Sequence, residues 1–422
     1  MDEQIPEVVE VQPGGEADVP PDVEEQNNID TEIASHDAGS IDGDGDDVPE
    51  EEEDELEELA KSSEEIREEE VNQLEFFEFP EEEQPEDDET GRLAYKKKCE
   101  EFDFYLFPVN SVVQKFDLEV LPLAHSGLGD KGAVALSESL KVNTRIRDLC
   151  VVDNWITPKG GQALLEAIKN NESITKLDFA ENRLGYRAGQ VGRTTIGETL
   201  RDVFIQNRVL RAVSLRANKL GDSDVTELAN GLCENFSLHV LDLSYNELGP
   251  RAGESVGMML STNGDLRELN LEWNQLRNDG TMKVLDGLKG NNTLKRISLA
   301  WNGLSDKGGI AVGEVLQTNT SLEEVDVSHN RISVAGAKRI AEGIAENAAI
   351  RRLVLAHNPL ADEGCTAILQ AIGTNQSLVF VDLMSAESGH NAATEIVETY
   401  EKRQGKVEIH IPRSMFVSKK PG

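Results

Sequence analysis

Aromatic residues make up only 5% of this chain of 422 residues, and it holds three tryptophans and four cysteines. It also lacks any apolar run near the roughly 18 residues that would read as a membrane-spanning helix. The opening Met1-Asp2-Glu3-Gln4 lacks the basic-then-apolar order of a secretory signal. We therefore expect a soluble, cytoplasmic chain. Cys99, Cys150, Cys233 and Cys365 lie far apart, with no C-x-x-C pair and no His cluster at zinc spacing. They read as reduced packing thiols, and no metal or other cofactor is expected.

Basic residues are almost missing from the first 90 positions, where Lys61 and Arg67 face 38 Asp and Glu. The other 332 residues carry 42 acidic and 39 basic side chains, so the net charge of −39 belongs to a tail. Such a tail repels a phosphate backbone and the remainder offers no net positive charge, which argues against nucleic acid binding. With too little apolar content to collapse, residues 1–91 are expected to be a disordered acidic tail. Within it, Leu74-Glu-Phe-Phe-Glu-Phe-Pro80 is an aromatic island, a candidate linear motif built on Phe76, Phe77 and Phe79. It resembles the two-phenylalanines-in-an-acidic-tract motif that docks to endoplasmic-reticulum receptor domains, with Phe79 in place of the small residue that motif prefers. Asp42, Asp44, Asp46 and Glu53 mimic calcium-loop positions, but Asp47 stands where such a loop needs Gly, so they read as a charge run.

The body of the chain repeats itself. Leu241-Asp-Leu-Ser-Tyr-Asn246-Glu-Leu-Gly249 returns as Leu269-Asn-Leu-Glu-Trp-Asn274, Ile297-Ser-Leu-Ala-Trp-Asn302, Val325-Asp-Val-Ser-His-Asn330 and Leu353-Val-Leu-Ala-His-Asn358. Asn154, Asn182 and Asn218 precede them, with Ser126 and Ala386 in the same column at the two ends. The spacing is 28 residues throughout, except one step of 36 from Asn182 to Asn218. Each unit reads apolar-x-apolar, a two-residue period that predicts a short strand, then Asn-x-Leu, then a helical stretch such as Gly253-Glu-Ser-Val-Gly-Met-Met-Leu260. Asp130, Asp222, Asp306 and Asp362 sit where the helix should start, in a column shared with Pro158 and Pro250. Parallel strands stack ~4.8 Å apart and packed helices need roughly 8–10 Å, so the array must curve with its strands inside. The column Asn should point inward and pair with backbone groups of the turns.

On these columns the chain resembles the leucine-rich repeat superfamily, in its ribonuclease-inhibitor-like class. Its Asn-x-Leu-Gly-x-x-Gly flavour is similar to leucine-rich repeat-containing protein 74 and its relatives. The resemblance implies an α/β solenoid, a curved horseshoe with parallel strands on the concave face and helices on the convex face. It also implies a protein-binding scaffold rather than an enzyme. The expected organisation is an N-terminal cap at 92–118, marked by Tyr95, Phe102, Phe104, Tyr105, Phe107 and Phe116, about ten repeats over 119–398, and a C-terminal cap strand with a basic tail at 399–422.

Residues one period apart become neighbours in the stack. Tyr245, Trp273, Trp301, His329 and His357 precede the Asn in five successive repeats, a stripe expected at the rim of the concave face. Two readings stand: anchors for a partner, or rings that stack on one another and shield the sheet edge. The expected floor carries Glu268, Glu272, Arg296, Glu324 and Arg352, with Arg216 nearer the N-terminus, a two-signed surface for a protein partner. The extra residues of the long repeat fall at 186–195, a loop whose Arg187 and Arg193 are further contact candidates. His329 and His357 share their column with no third ligand, which argues against metal. Gly127-Leu-Gly-Asp-Lys-Gly132 matches a dinucleotide fingerprint, but its residues fall on ordinary repeat columns. No Ser-His-Asp or Cys-His set is visible. The leading expectation is a non-enzymatic scaffold, monomeric outside its complex, with protein partners, no nucleic acid and no membrane insertion. The alternatives are a GTPase activator resembling the Ran-directed members of the class, or a structural part of a cytoskeletal or ciliary assembly.

Overall fold

The computed structural model describes residues 89–102, 109–185, 195–384 and 389–411, all within the unit spanning 83–422. The acidic tail before residue 89, with Phe76, Phe77 and Phe79, lies outside the described residues, as do Phe104, Tyr105, Phe107, the loop arginines Arg187 and Arg193, and the basic end from Pro412.

Among the described residues, eleven three-residue strands form one open parallel sheet in chain order, from Val120–Pro122 to Glu408–His410. The repeat alone explains this order, because each unit has to place its apolar strand residue beside the equivalent residue of the next. Leu241, Leu269, Ile297, Val325 and Leu353 are direct register partners. They are buried, while the residues on either side of them face outward from the core. Leu243, Leu248, Val256, Met259 and Leu260 complete one repeat's share of a continuous core. Helices return the chain between strands, and where two must approach closely the sequence supplies glycine. A Cβ on Gly253 of the helix Pro250–Thr262 would lie 2.5 Å from the Cα of Gly280 in the helix Arg277–Gly290.

At the N-terminal end the helix Arg92–Glu101 buries Tyr95, whose ring meets Phe116 edge to face at 5.4 Å. At the other end the helix His390–Arg403 runs across the boundary expected at 398, and the closing strand Glu408–His410 buries Ile409 beside Val407.

Because each repeat buries turn backbone, its polar groups need partners. The column asparagines provide them. Asn246 Oδ1 accepts the amides of Asn218 and Leu220 at 3.0 Å each, and its Nδ2 donates to the carbonyls of Leu215, Leu243 and Ser244 at 2.9–3.1 Å. Asn330 repeats this set on Asn302, Leu304, Leu299, Val327 and Ser328. The inward-pointing Asn expected from the sequence is what the structure contains.

A second ladder runs where helices turn back toward strands, through Asn143, Asn171, Asn207, Asn235, Asn263, Asn291, Asn319, Asn347 and Asn375. Asn263 is typical: Nδ2 donates to Leu232 and Asn235 carbonyls of the preceding repeat at 2.8 and 3.2 Å, and Oδ1 accepts the amides of Asp265 and Leu266. The next position of this column is Arg403. Its guanidinium, only 4% exposed, donates to the carbonyls of Ile372, Asn375 and Leu378, so one cation satisfies the last set of turn oxygens. Burial depresses its pKa.

The helix-start aspartates act differently from the expectation. They cap the helix of the following repeat, not their own. Asp306 Oδ1 accepts the amides of Ser333 and Gly336 at 2.8 and 3.1 Å, and its Oδ2 accepts the Ser333 hydroxyl at 2.7 Å, at the start of the helix Val334–Glu346. Asp130 holds Thr157 and Gly160, Asp222 holds Gly249 and Ala252, and Asp362 holds Gly389 and Ala392 in the same way. The residue at the helix start points along the stack, so its carboxylate reaches the neighbour's free amides before its own.

Replacing Arg403 by Leu leaves three buried carbonyls without donors, at a cost of about 2–4 kcal/mol. Because a solenoid frays from its ends, hydrogen exchange should quicken across 372–411 and stay unchanged over 240–330. Burial raises the Asp306 carboxyl, but hydrogen bonds from Ser333 and Gly336 outweigh it, so its pKa lies below the ordinary value. A depressed carboxyl stabilises the fold above its unfolded pKa of about 3.9 and loses that contribution as pH falls through the folded value. Asp306→Asn should therefore flatten the acid limb of the stability curve, measured by urea midpoints from pH 5 to pH 2.

Candidate functional site

The concave face presents parallel rows, each built from one repeat column. The ring row consists of Tyr245, Trp273, Trp301, His329 and His357, and all five have left-handed backbone, φ 51–56°. This conformation disfavours a side chain by roughly 1–2 kcal/mol per residue. It is held because each of these amides donates to the next repeat: Tyr245 to Glu272, Trp273 to Ala300, Trp301 to Ser328, His329 to Ala356 and His357 to Met384, at 2.9–3.2 Å. The turn throws the rings off the strand line into a continuous stack. Successive centroids lie 5.4, 4.4, 4.2 and 4.0 Å apart, with the Trp273–Trp301 pair tilted by 43° and the others nearly parallel. Arg216 closes the N-terminal end of the stack, 3.8 Å from the Tyr245 centroid.

The mutual stacking expected as one of the two readings is present. The rings cover one another's faces, yet Trp273 and Trp301 remain 46% and 41% exposed, so their edges form an apolar ribbon open to solvent. Beyond Tyr245 the row continues as Ala217, Glu181, Asp153 and His125, all left-handed, and an ion pair of 2.9 Å joins His125 to Asp153. Burial, and then the His357 beside it, lower the pKa of His329.

The floor residues expected from the sequence fall into two rows. Glu268, Arg296, Glu324 and Arg352 are register partners on four adjacent strands, at the first position of each. Arg296 contacts Glu268 directly, and that hydrogen bond raises its pKa. Arg352 lies over the Phe380 ring at 3.7 Å. Arg216 and Glu272 belong instead to the row next to the rings, where Arg216 donates to the Ser244 hydroxyl and Glu272 accepts the Tyr245 hydroxyl at 3.2 Å. Between the two rows, Asp242 and Asp326 accept the amides of Ser244 and Ser328 at 2.8 Å, which ties one oxygen of each to the turn that follows. Strands from Val240 to Val354 enclose an open hollow of about 350 Å³ lined by the charged strand row and by the row of Asp242 and Asp326, with the Ser298 hydroxyl enclosed and unpartnered at its floor.

Trp155 was not singled out in the sequence, because it lies one residue beyond the Asn column where no other repeat carries a ring. It is 61% exposed with φ 57°. Of the cysteines, Cys99 and Cys365 are buried and all four are free thiols; burial pushes the Cys365 thiol up to about 12.

Six segments, residues 114–137, 234–257, 262–285, 290–313, 318–341 and 346–369, match the family model described as Leucine Rich repeat. The chain carries leucine-rich repeats. The matched segments from 234 onward contain the rings from Tyr245 to His357, so the candidate site is built on these repeats. No curated protein matches the chain. Among solved structures, one titled Leiomodin-1 Actin-Binding Site 2 (ABS2) is 14% identical, covering 36% of this chain and 87% of that one at a TM-score of 0.32. The tropomodulin C-terminal domain of Caenorhabditis elegans is 19% identical, covering 36% and 93% at a TM-score of 0.33. At these overlaps neither bears on what this chain binds. No helix among the described residues is long and apolar enough to cross a membrane.

The His329 imidazole should titrate below the free value of about 6.5. In an NMR titration its midpoint should rise in His357→Gln, which removes the neighbouring charge, and stay below the free value because burial persists. A midpoint unmoved by that substitution would contradict the stacked pair.

Proposed function

We propose that this chain is a non-enzymatic protein-binding scaffold whose leucine-rich repeats present the ring row and the charged strand row to a protein partner. The observation that carries the reading is the exposed edge ribbon of Trp273 and Trp301. Large rings, held rigid at a known backbone cost, supply contact area with little further entropy to lose on binding. Tyr245, His329 and His357 extend the ribbon. Arg216, Glu268, Glu272, Arg296, Glu324 and Arg352 set orientation beside it. Arg187 and Arg193 are further contacts in this reading, and the Phe76, Phe77 and Phe79 motif is a separate docking element. Residues 92–118 and 399–422 are the edge caps of the array. The closer resemblance to leucine-rich repeat-containing protein 74 and its relatives is part of the same proposal and rests on the same columns.

The double variant Trp273→Ala, Trp301→Ala tests it. The rings stack on the surface and not in the core, so the melting transition should fall by only a few degrees. Proximity labelling in cells should lose a defined set of neighbours relative to the unaltered chain. An identical set from the folded variant would reject the ring row as the binding surface.

A further inference from the structure

The charged row has a period of its own. Glu268, Arg296, Glu324 and Arg352 alternate in sign on adjacent strands, one step per ~4.8 Å along the stack. Alternation leaves the row with no net charge, so it attracts nothing strongly at a distance. What it can discriminate is register, since a partner displaced by one step meets like charge at every position. Glu324 faces an Arg on each side, and among the described residues it forms no ion pair of its own. Arg352 sits with its guanidinium carbon 3.7 Å from the Phe380 ring centroid.

Building on the scaffold reading, we propose that the partner segment recognised here is an amphipathic α-helix lying along the stack, across the strands. It would carry Lys or Arg opposite Glu268 and Glu324, and Asp or Glu opposite Arg296 and Arg352. Its neighbouring apolar face would rest on the Trp273 and Trp301 edges. Two distances select a helix. Three steps of the row span ~14 Å, and helix positions i, i+4, i+7 and i+11 span ~16 Å on one face. In an extended strand, i to i+6 spans ~20 Å, more than a full row step too long over the same three steps. Across the trough, the charged row and the ring row are five residues apart, up to ~16 Å. A helix with its side chains, ~10–12 Å wide, covers most of that upper limit. A single extended chain touches one of the two rows.

The probe is a labelled, alanine-based peptide of about 18 residues, long enough to span the four repeats as a helix. It carries Lys at i and i+7, Glu at i+4 and i+11, and Leu on the adjoining face. Anisotropy against the full chain should show saturable binding, weakened roughly tenfold or more by Glu268→Lys with Glu324→Lys. A peptide with Lys and Glu exchanged should bind poorly to the unaltered chain. It should regain affinity for the variant Glu268→Lys, Arg296→Glu, Glu324→Lys, Arg352→Glu. Should that variant fail to fold, Glu324→Lys alone, at a position with no ion pair to lose, must shift preference toward the exchanged peptide. Absence of saturable binding, equal binding of both peptides, or equal binding of a peptide broken by central prolines would overturn the helix inference. If the tryptophan variant nevertheless loses its neighbours in cells, the scaffold reading survives and only the form of the partner is wrong.

Discussion

Among the described residues each repeat closes its turn with hydrogen bonds taken from the repeat beside it, and the rest of the structure follows from that dependence. The strands are three residues long, too short to be stable alone. The asparagine amides supply what the strands cannot: Asn246 ties one carbonyl and two amides of the preceding repeat across the boundary and two carbonyls of its own turn. The second asparagine ladder does the same at the opposite end of the helix, and the helix-start aspartates do it for free amides. No unit is complete without a neighbour. Stability is therefore a sum of interfaces, and the last interface requires a different residue. In the last described helix that residue is Arg403, whose guanidinium reaches three carbonyls of the preceding repeat.

The same dependence creates the surface. A bulky ring in a left-handed turn would relax to another conformation in an isolated hairpin. Here each ring residue's amide is fixed to the next repeat's carbonyl, so the strained turn recurs and the rings line up. The order of the ring row is thus a property of the stack, set by the backbone ladder that also fixes the charged row beneath it. Both rows inherit the strand spacing, and this gives the concave face a period that a regular helix nearly shares.

The repeat period, its interruption, the strand-turn-helix unit and the inward Asn were legible in the sequence, because a column recurring every 28 residues admits one stacking register. The ring and charge columns were legible for the same reason. The second asparagine ladder is equally periodic, but an Asn after a helix reads as an ordinary stop signal, and its bonds to the preceding repeat are visible only in the structure. The role of Arg403 was hidden because its column changes residue type at the last step.

What the sequence by itself determined is which residues become neighbours, since periodicity fixes adjacency without reference to coordinates. Only the tertiary structure decided direction: that Asp306 caps the following helix and not its own, that Arg216 and Glu272 belong with the rings while Glu268 and Arg296 form a separate row, and that the rings stack face to face with edges outward. Adjacency depends on counting, whereas direction depends on backbone dihedrals. Those dihedrals are set here by hydrogen bonds between repeats, which no single repeat contains.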